Sequence, residues 1–269
     1  MSVARAPGIL RTIWTNAVFA PRTSLGFMRL DYVFGTVVII PFTQMLFFAV
    51  VAQLAGNPSA PVAYVVLGNA IAPITYSSVF SVCQTTDSEK QQGTMEHLLV
   101  TPTNRTALYL GRGLLPIATS VATVAVGLAY AAFVFHVPFA AGSALPIAVS
   151  VGLLSVSMVG FGLLIGGIAL FLRTSIILGN IFLFIGLVLS GANFPVSFLP
   201  MPVQWLGYLL PLTWGIAAIR ASATNAPLLT LLPLWGALVL STLVTVGLAM
   251  GLWDVFERRA LSTGSIVRF

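Results

Sequence analysis

The sequence predicts an all-α membrane protein whose chain crosses the bilayer six times. Hydrophobic residues make up 58% of the 269 residues and charged residues only 7%, whereas a soluble domain carries roughly 25% charged residues. Six apolar runs are long enough for a bilayer core, which takes about 20 helical residues. They lie at 33–54, 62–82, 107–135, 145–172, 175–193 and 228–253. These runs are continuously apolar and do not alternate, so they predict helices and not barrel strands.

The charged residues predict which ends of these helices face the cytoplasm. Eleven of the twelve basic residues lie before the first run, between or just inside the second and third, between the fourth and fifth, or after the sixth. Cytoplasmic loops carry an excess of Lys and Arg, so we expect a multi-pass protein of the cell membrane with both termini in the cytoplasm. Arg220 is the one exception. The pI of about 10.1 is therefore attributed to topology and not to nucleic-acid binding.

Residues 1–269 are expected to form a single transmembrane domain. Residues 1–31 show no short apolar run with a cleavage site, so we expect no cleavable signal peptide. Within them, apolar residues recur at helical spacing, namely Ile9, Leu10, Ile13 and Trp14. This pattern predicts an amphipathic helix in the cytoplasmic interface; an ordinary basic lead-in to the first span is the alternative. Residues 254–269 are expected to form a cytoplasmic tail.

Several kinds of chemistry have no candidate residues in this chain. No carboxylate lies deep within a predicted span, which argues against a proton- or sodium-coupled transporter. The Walker motif needs Gly-Lys-Ser/Thr, but the only lysine, Lys90, follows Glu89, so any ATP and magnesium must bind to another chain. Cys83 is the single cysteine, and His97 and His136 stand alone. We therefore expect no catalytic residue, no metal site and no bound cofactor.

A polar segment at 87–105 stands between the second and third spans and contains five charged residues. Asp87 or Ser88 can cap a short helix there, and Thr101-Pro102 ends it. One side of this helix is an apolar stripe of Met95, Leu98 and Leu99, and the other is a polar face of Glu89, Gln92 and Glu96. Such a helix fits a groove on a partner protein. A solvated loop whose stripe rests on the bilayer is the alternative.

Two stretches of sequence, in the right order, resemble a known family. The first stretch, within 87–105, reads E-K-Q-Q-G-T-M-E-H-L-L-V-T-P. The second reads S-G-A-N-F-P-V-S-F-L-P at 190–200 and continues with P-L-T-W at 211–214 and with Arg220. Together with six spans, they resemble the ABC-2 type transporter permeases, which are the membrane subunits of ABC exporters. The resemblance covers essentially the whole chain, and with no ATPase domain apparent at either end it corresponds to the half-size permease form.

The resemblance implies partners for the polar segment. In that family two permeases pair, as a homodimer or a heterodimer, and each docks on a cytoplasmic ATPase subunit that binds ATP and magnesium. The loop at 84–106 is then expected to carry the coupling helix. The implied contacts to the ATPase are Glu89, Gln92, Met95, Glu96, His97, Leu98 and Leu99.

The segment at 194–227 is too apolar for a free loop and too rich in proline for one span. It predicts short helices at the outer leaflet, with aromatic side chains in the interface. The resemblance implies that these helices are re-entrant and close the outer end of a pathway. The residues of this expected outer gate are Phe194, Pro195, Pro200, Trp205 and Trp214. A lid of purely structural use is the alternative.

The resemblance also places the second and fifth spans beside the transport pathway. Their candidate pathway residues are Asn69, Thr75, Tyr76, Asn180, Phe182, Ser190, Asn193 and Phe194. Amides in a bilayer need partners or a cavity, and hydrogen bonds between helices satisfy them equally well. In the fourth span, Gly162 and Gly166 predict close helix packing.

An apolar pathway with aromatic and amide groups favours export of a hydrophobic drug, a lipid or a glycolipid-like compound, with membrane lipid around the protein. Polysaccharide export, a channel or facilitator that works without ATP, and a membrane enzyme or assembly factor are the alternatives.

Overall fold

The structure is a computed structural model that describes residues 34–80, 82–83, 105–169 and 175–263. Within these ranges every regular element is helical, which confirms the all-α prediction for this part of the chain. The α-helices are α1 (Ile40–Ala55), α2 (Val62–Ile71), α3 (Arg105–Phe133), α4 (Ala144–Ala169), α5 (Ser175–Leu189), α6 (Met201–Leu209), α7 (Pro211–Ala223) and α8 (Leu228–Thr263). Shorter turns comprise two π-helical segments, Gly35–Ile39 and Tyr76–Phe80, and a 3-10 turn, Val196–Phe198.

Five helical segments of the described ranges are long and apolar enough to cross a membrane. They are Val37–Ala55, Val62–Val79, Pro116–Phe133, Ala144–Ile168 and Leu228–Val255, and they match the predicted first, second, third, fourth and sixth spans. The predicted fifth span corresponds to α5, which has 15 residues. A helix of this length is about 22 Å long, shorter than the roughly 30 Å hydrocarbon core. The count of six spans therefore stays a prediction.

The second span is interrupted, whereas the sequence predicted a continuous run at 62–82. The α-helical part ends at Ile71, and Tyr76–Phe80 forms a π-helical turn. Pro73 explains the break, because proline has no backbone N–H and its ring clashes with the preceding turn. The π-turn is held to α3 by hydrogen bonds between Ser120 Oγ and the hydroxyls of Ser77 (2.9 Å) and Ser78 (2.7 Å).

Helix α4 lies at the centre of the packing and contacts α8, α7, α3, α5 and the π-turn. Small residues permit these contacts, since helices associate closely in membranes where small side chains meet. A methyl group on Gly162 would lie 3.1 Å from Ser78 O, so α4 touches the backbone of the second span there. On another face of α4, a methyl group on Gly160 would lie 2.9 Å from Thr245 Oγ1 of α8. The close packing predicted at Gly162 is thus observed.

The chain between α5 and α8 folds into short helices, as its prolines predicted. Pro211 occupies the first turn of α7, where the missing N–H is not needed. Two side chains of that turn bind the end of α6: Thr213 Oγ1 donates to Gly207 O (2.6 Å), and Trp214 Nε1 donates to Tyr208 O (2.8 Å). Two carbonyls at the end of α6 thus gain side-chain donors, and Gly207 O also accepts from Leu210 N (3.1 Å). The P-L-T-W sequence therefore has a structural role in joining α6 to α7.

Two predicted elements lie outside the described residues. These are the amphipathic helix within 1–31 and the coupling helix in the loop at 84–106, of which only the last two residues belong to the described α3. At the other end, α8 continues into the predicted tail as far as Thr263.

Candidate functional site

Three amide side chains connect α1, α2 and the segment after α5. Asn69 is fully buried in α2. Its Nδ2 donates to Asn193 Oδ1 (2.7 Å) and to Val65 O (2.9 Å), while its Oδ1 accepts from Gln44 Nε2 (3.2 Å). The structure thus brings together Asn69 and Asn193, two of the residues predicted to line the pathway. Hydrogen bonds between elements satisfy the buried amide of Asn69, which was one of the two readings open from the sequence.

Two buried hydroxyls, one in the second span and one just after α5, have no hydrogen-bond partner. Thr75 is 4% exposed and Ser190 is 2% exposed, and neither Oγ1 of Thr75 nor Oγ of Ser190 is bonded. Thr75 lies against α5, because a Cβ on Gly186 would be 3.9 Å from Thr75 Cγ2. Gly186 is one helical turn before Ser190, whose N–H donates to Gly186 O (3.0 Å). An unsatisfied buried hydroxyl costs about 1–3 kcal/mol, so two of them near the junction of α2 and α5 are candidate contacts for a bound molecule.

The other predicted pathway residues take separate positions. Phe182 packs edge-on against Phe161 of α4, with ring centroids 5.7 Å apart. Asn180 is exposed on α5, whereas Tyr76 and Phe194 are half-buried. Phe182 therefore belongs to the packed core, and Asn180 faces away from it.

The residues predicted for the outer gate lie in the segment from the end of α5 to α7. Phe194 and Pro195 are half-buried, and Pro200 is exposed where α6 begins. Trp214 stacks obliquely on Tyr208, with ring centroids 5.6 Å apart. Trp205 is 66% exposed, so its ring is available to a membrane interface.

Arg220 forms a second polar cluster between α7, α2 and the turn at 190–195 (the 190–195 turn). Its Nη1 donates to Gly191 O (2.9 Å), and its Nη2 donates to Ala192 O (3.0 Å) and to Tyr64 O (2.8 Å). The guanidinium stacks on the Tyr64 ring, 3.4 Å from the centroid, and Tyr64 Oη donates to Gly191 O (3.1 Å). The side chain remains charged at neutral pH, because an arginine guanidinium does not deprotonate in proteins.

Glycines allow the backbone to come this close. A Cβ on Gly68 of α2 would collide with Ala192 O and would lie 2.7 Å from Arg220 Nη2. Gly191 has a φ of +77°, a conformation that glycine adopts without strain. These two positions explain why the 190–195 turn can lie directly on α2.

The sequence prediction missed the roles of Gln44, Tyr64 and Arg220. Arg220 was noted as the single basic residue outside the cytoplasmic set and as the end of a family motif, but it received no function. Its exceptional position was the available signal, because a charge in a membrane protein needs a specific set of partners. Gln44 and Tyr64 gave no comparable signal.

The described ranges offer polar binding groups more than reactive ones. They contain no group of three or more His, Cys, Asp or Glu side chains that could hold a metal ion. The clustered groups are amides, hydroxyls and one guanidinium. Of these groups, the hydroxyls of Thr75 and Ser190 and Nε of Arg220 have no hydrogen-bond partner and can hydrogen-bond a bound molecule.

Comparison with known proteins gives two findings. A family model described as "ABC-2 type transporter" matches residues 17–223. The chain is also similar to the probable multidrug ABC transporter permease YbhR of Escherichia coli strain K12, with 31% identity over 159 residues. The same protein of Escherichia coli O157:H7 matches to the same extent. The alignment covers 58% of this chain and 42% of the relative, so it spans less than half of that protein.

Proposed function

The chain belongs to the ABC-2 type transporter family, and from this premise we propose that it is the permease subunit of an ATP-driven exporter. A separate subunit binds and hydrolyses ATP, with its magnesium. The cargo is a hydrophobic or amphipathic compound such as a drug, a lipid or a glycolipid-like molecule, and it leaves the cytoplasm or the inner leaflet. The family match over residues 17–223, which includes both stretches of motif sequence, is the observation that carries this proposal.

The polar groups between α2 and α5 support an amphipathic cargo. Thr75 and Ser190 are buried in apolar surroundings with unbonded hydroxyls. A ligand site of this kind combines an apolar lining with a few polar groups that fix orientation. A molecule with an apolar body and one or two hydrogen-bonding groups matches this chemistry. The relative's name, a probable multidrug permease, is consistent with such a cargo.

In this proposal the protein spans the cell membrane six times with both termini in the cytoplasm. Helix α5 is the fifth crossing. Its 15 residues are too few for the whole hydrocarbon core, and the short helices α6 and α7, which re-enter the outer leaflet, complete the crossing. The strongly apolar sequence of α5 and the exposed aromatic ring of Trp205 support this placement, because Trp is enriched at membrane interfaces.

A second permease, identical or related, is proposed to cover the exposed face of α5. This face is apolar except for Asn180, which is exposed among lipid-facing side chains. An amide facing hydrocarbon without a partner is costly, and polar side chains commonly bond across helices in membranes. The apolar members of the face are Ile177, Ile181, Phe184, Ile185 and Val188.

The loop at 84–106 is proposed to carry the coupling helix, with Glu89 and Glu96 among its contacts to the ATPase. Support comes from the helical spacing of its apolar stripe and from the family match that includes it. Isolation of the tagged full-length chain from native membranes tests the partner. We expect an ATP-binding subunit to co-purify in a 1:1 ratio with the permease; purification without any ATP-binding protein would contradict the exporter proposal and favour a facilitator.

A pair of charge reversals tests the coupling helix itself. Glu89→Lys with Glu96→Lys is expected to abolish transport and to uncouple ATP hydrolysis while membrane insertion is unchanged. Asp254→Lys with Glu257→Lys is the matched control, because it makes the same change in charge near the end of α8. Unchanged transport in the first pair would disprove the assignment of the coupling helix.

A further inference from the structure

Arg220 joins three separate parts of the chain. Its backbone belongs to α7, its Nη1 and Nη2 bind the carbonyls of Gly191 and Ala192 in the 190–195 turn, and its Nη2 also binds Tyr64 O in the first turn of α2. Tyr64 of α2 and Gly191 of the turn, which are hydrogen-bonded to each other, are 127 residues apart in the sequence. Arg220 therefore bridges the turn and α2, in addition to the bonds that Tyr64 Oη donates to Gly191 O and Asn69 Nδ2 donates to Asn193 Oδ1.

The partners of Arg220 are neutral. In the part of the chain that the structure describes, the carboxylates are Asp254 and Glu257, both near the far end of α8. Carbonyl dipoles and the face of an aromatic ring balance the guanidinium instead. Separating a buried cation from a carboxylate would leave two uncompensated charges. Separating the guanidinium from the neutral carbonyls of the turn leaves only the charge of Arg220, and Arg220 keeps its contacts with Tyr64.

These partners divide into two sets. The bonds to Gly191 and Ala192 go to the 190–195 turn, while the bond to Tyr64 O and the stack on the Tyr64 ring stay on α2. If the turn moves away, Arg220 keeps the second set. The cation is therefore supported both with the turn in place and with the turn displaced.

We infer that Arg220 is a positioning residue that latches the 190–195 turn onto the start of α2 and releases it when the outer end of the pathway opens. The inference rests on the proposed function, in which the segment after α5 closes that outer end. Tyr64 has two parts in the latch: its ring holds the guanidinium, and its hydroxyl adds a bond to Gly191 O. Ser190, the first residue of the turn, is shielded while the latch is closed.

Labelling of a reporter thiol tests the latch without cargo or ATP. The full chain carries Ser190→Cys, a nearly isosteric change at a hydroxyl without a bonding partner, and intact cells are treated with a membrane-impermeant maleimide. One of two further substitutions is then added to this reporter. Arg220→Lys keeps the charge but removes the planar fork that reaches three carbonyls. Tyr64→Phe keeps the ring under the guanidinium and removes the hydrogen bond to Gly191 O. Ser155→Cys in the core of α4, also fully buried, is the control for general loosening.

We expect Arg220→Lys to raise the labelling rate of the Ser190→Cys thiol on the order of tenfold, since hydrogen bonds to a charged group are lost. Tyr64→Phe should raise it about threefold, since it loses one neutral bond. Labelling of Ser155→Cys should not change. Equal labelling with and without Arg220→Lys, or a parallel rise at the control thiol, would overturn the latch. The pull-down result is independent of these rates, so failure of the latch and failure of the exporter proposal are distinguishable.

Discussion

Gly68→Ala should disrupt the contact between α2 and the 190–195 turn. The added methyl group would collide with Ala192 O and would lie 2.7 Å from Arg220 Nη2. Ala192 O is a backbone atom of a turn that Arg220 and Tyr64 Oη already hold in place, so it cannot rotate away as the end of a side chain can. The turn must shift, and the bond from Arg220 to Ala192 O is the first to be lost.

The expected loss of folding stability in Gly68→Ala is the balance of opposing effects. Replacing glycine by alanine within a helix contributes about 1 kcal/mol of stability. Overpacking a filled site costs about 1–3 kcal/mol, and the hydrogen bond from a charged group contributes about 1.5–3 kcal/mol. Because Arg220 keeps its bonds to Tyr64 O and Gly191 O, we take the lower part of these ranges, which gives a net destabilisation of about 2 kcal/mol.

Thermal unfolding of the purified protein in detergent measures this loss. A destabilisation of this size lowers the Tm of a 150–250-residue protein by about 4–8 °C, and we expect a similar fall here. Gly236→Ala in α8 is the matched control, because a Cβ there has no atom within 4 Å and the gain in helix propensity is the same. Its Tm should equal or exceed that of the native protein. Equal Tm values for the two variants would refute the close contact at Gly68.

Three further predictions concern polar residues of the predicted second and fifth spans. Thr75→Val removes a hydroxyl without a partner, so the Tm should stay equal or rise while the KM for transport increases; a lower Tm would show that the hydroxyl is satisfied. Asn69→Ala and Asn193→Ala should be coupled by about 1 kcal/mol in a double-mutant cycle of unfolding, and additive effects would exclude the 2.7 Å bond between them. If the second permease is an identical copy, Asn180→Cys should form an oxidised dimer on a non-reducing gel, whereas Leu240→Cys on the exposed side of α8 should not; monomer from both would count against an identical copy at α5.

The sequence predicted the long helices well because hydropathy decides which segments leave water. The fourth span was expected at 145–172, and α4 is Ala144–Ala169. The interruptions were harder to predict. The expected fifth span ran through Asn193, but α5 ends at Leu189, and Gly191 then adopts a φ of +77°. An apolar run conceals such a turn, since hydropathy carries no information on backbone dihedral angles.

The candidate site could be predicted only in part, for a related reason. Asn69 and Asn193 were identifiable because an amide side chain in an apolar span is exceptional. The partners of Arg220 are main-chain carbonyls of Tyr64, Gly191 and Ala192. Every residue has a carbonyl, so no side-chain pattern indicates which ones a distant arginine binds. Glycines such as Gly68 permit the contact, but their sequence signal is shared with ordinary helix packing.

The two halves of the second span are fixed to different parts of the molecule. The N-terminal half is hydrogen-bonded to the 190–195 turn through the side chains of Tyr64 and Asn69. The π-turn after Pro73 bonds α3 through Ser120 and touches α4 at Gly162. The polypeptide continues from this C-terminal half towards the loop at 84–106, the proposed docking point of the ATPase. In the proposed exporter, a movement that enters through this loop acts first on the π-turn with α3, and along the second span it reaches the Arg220 latch across the break at Pro73. Within the second span, Pro73 thus separates the half that bonds the 190–195 turn from the half that leads to the proposed docking loop.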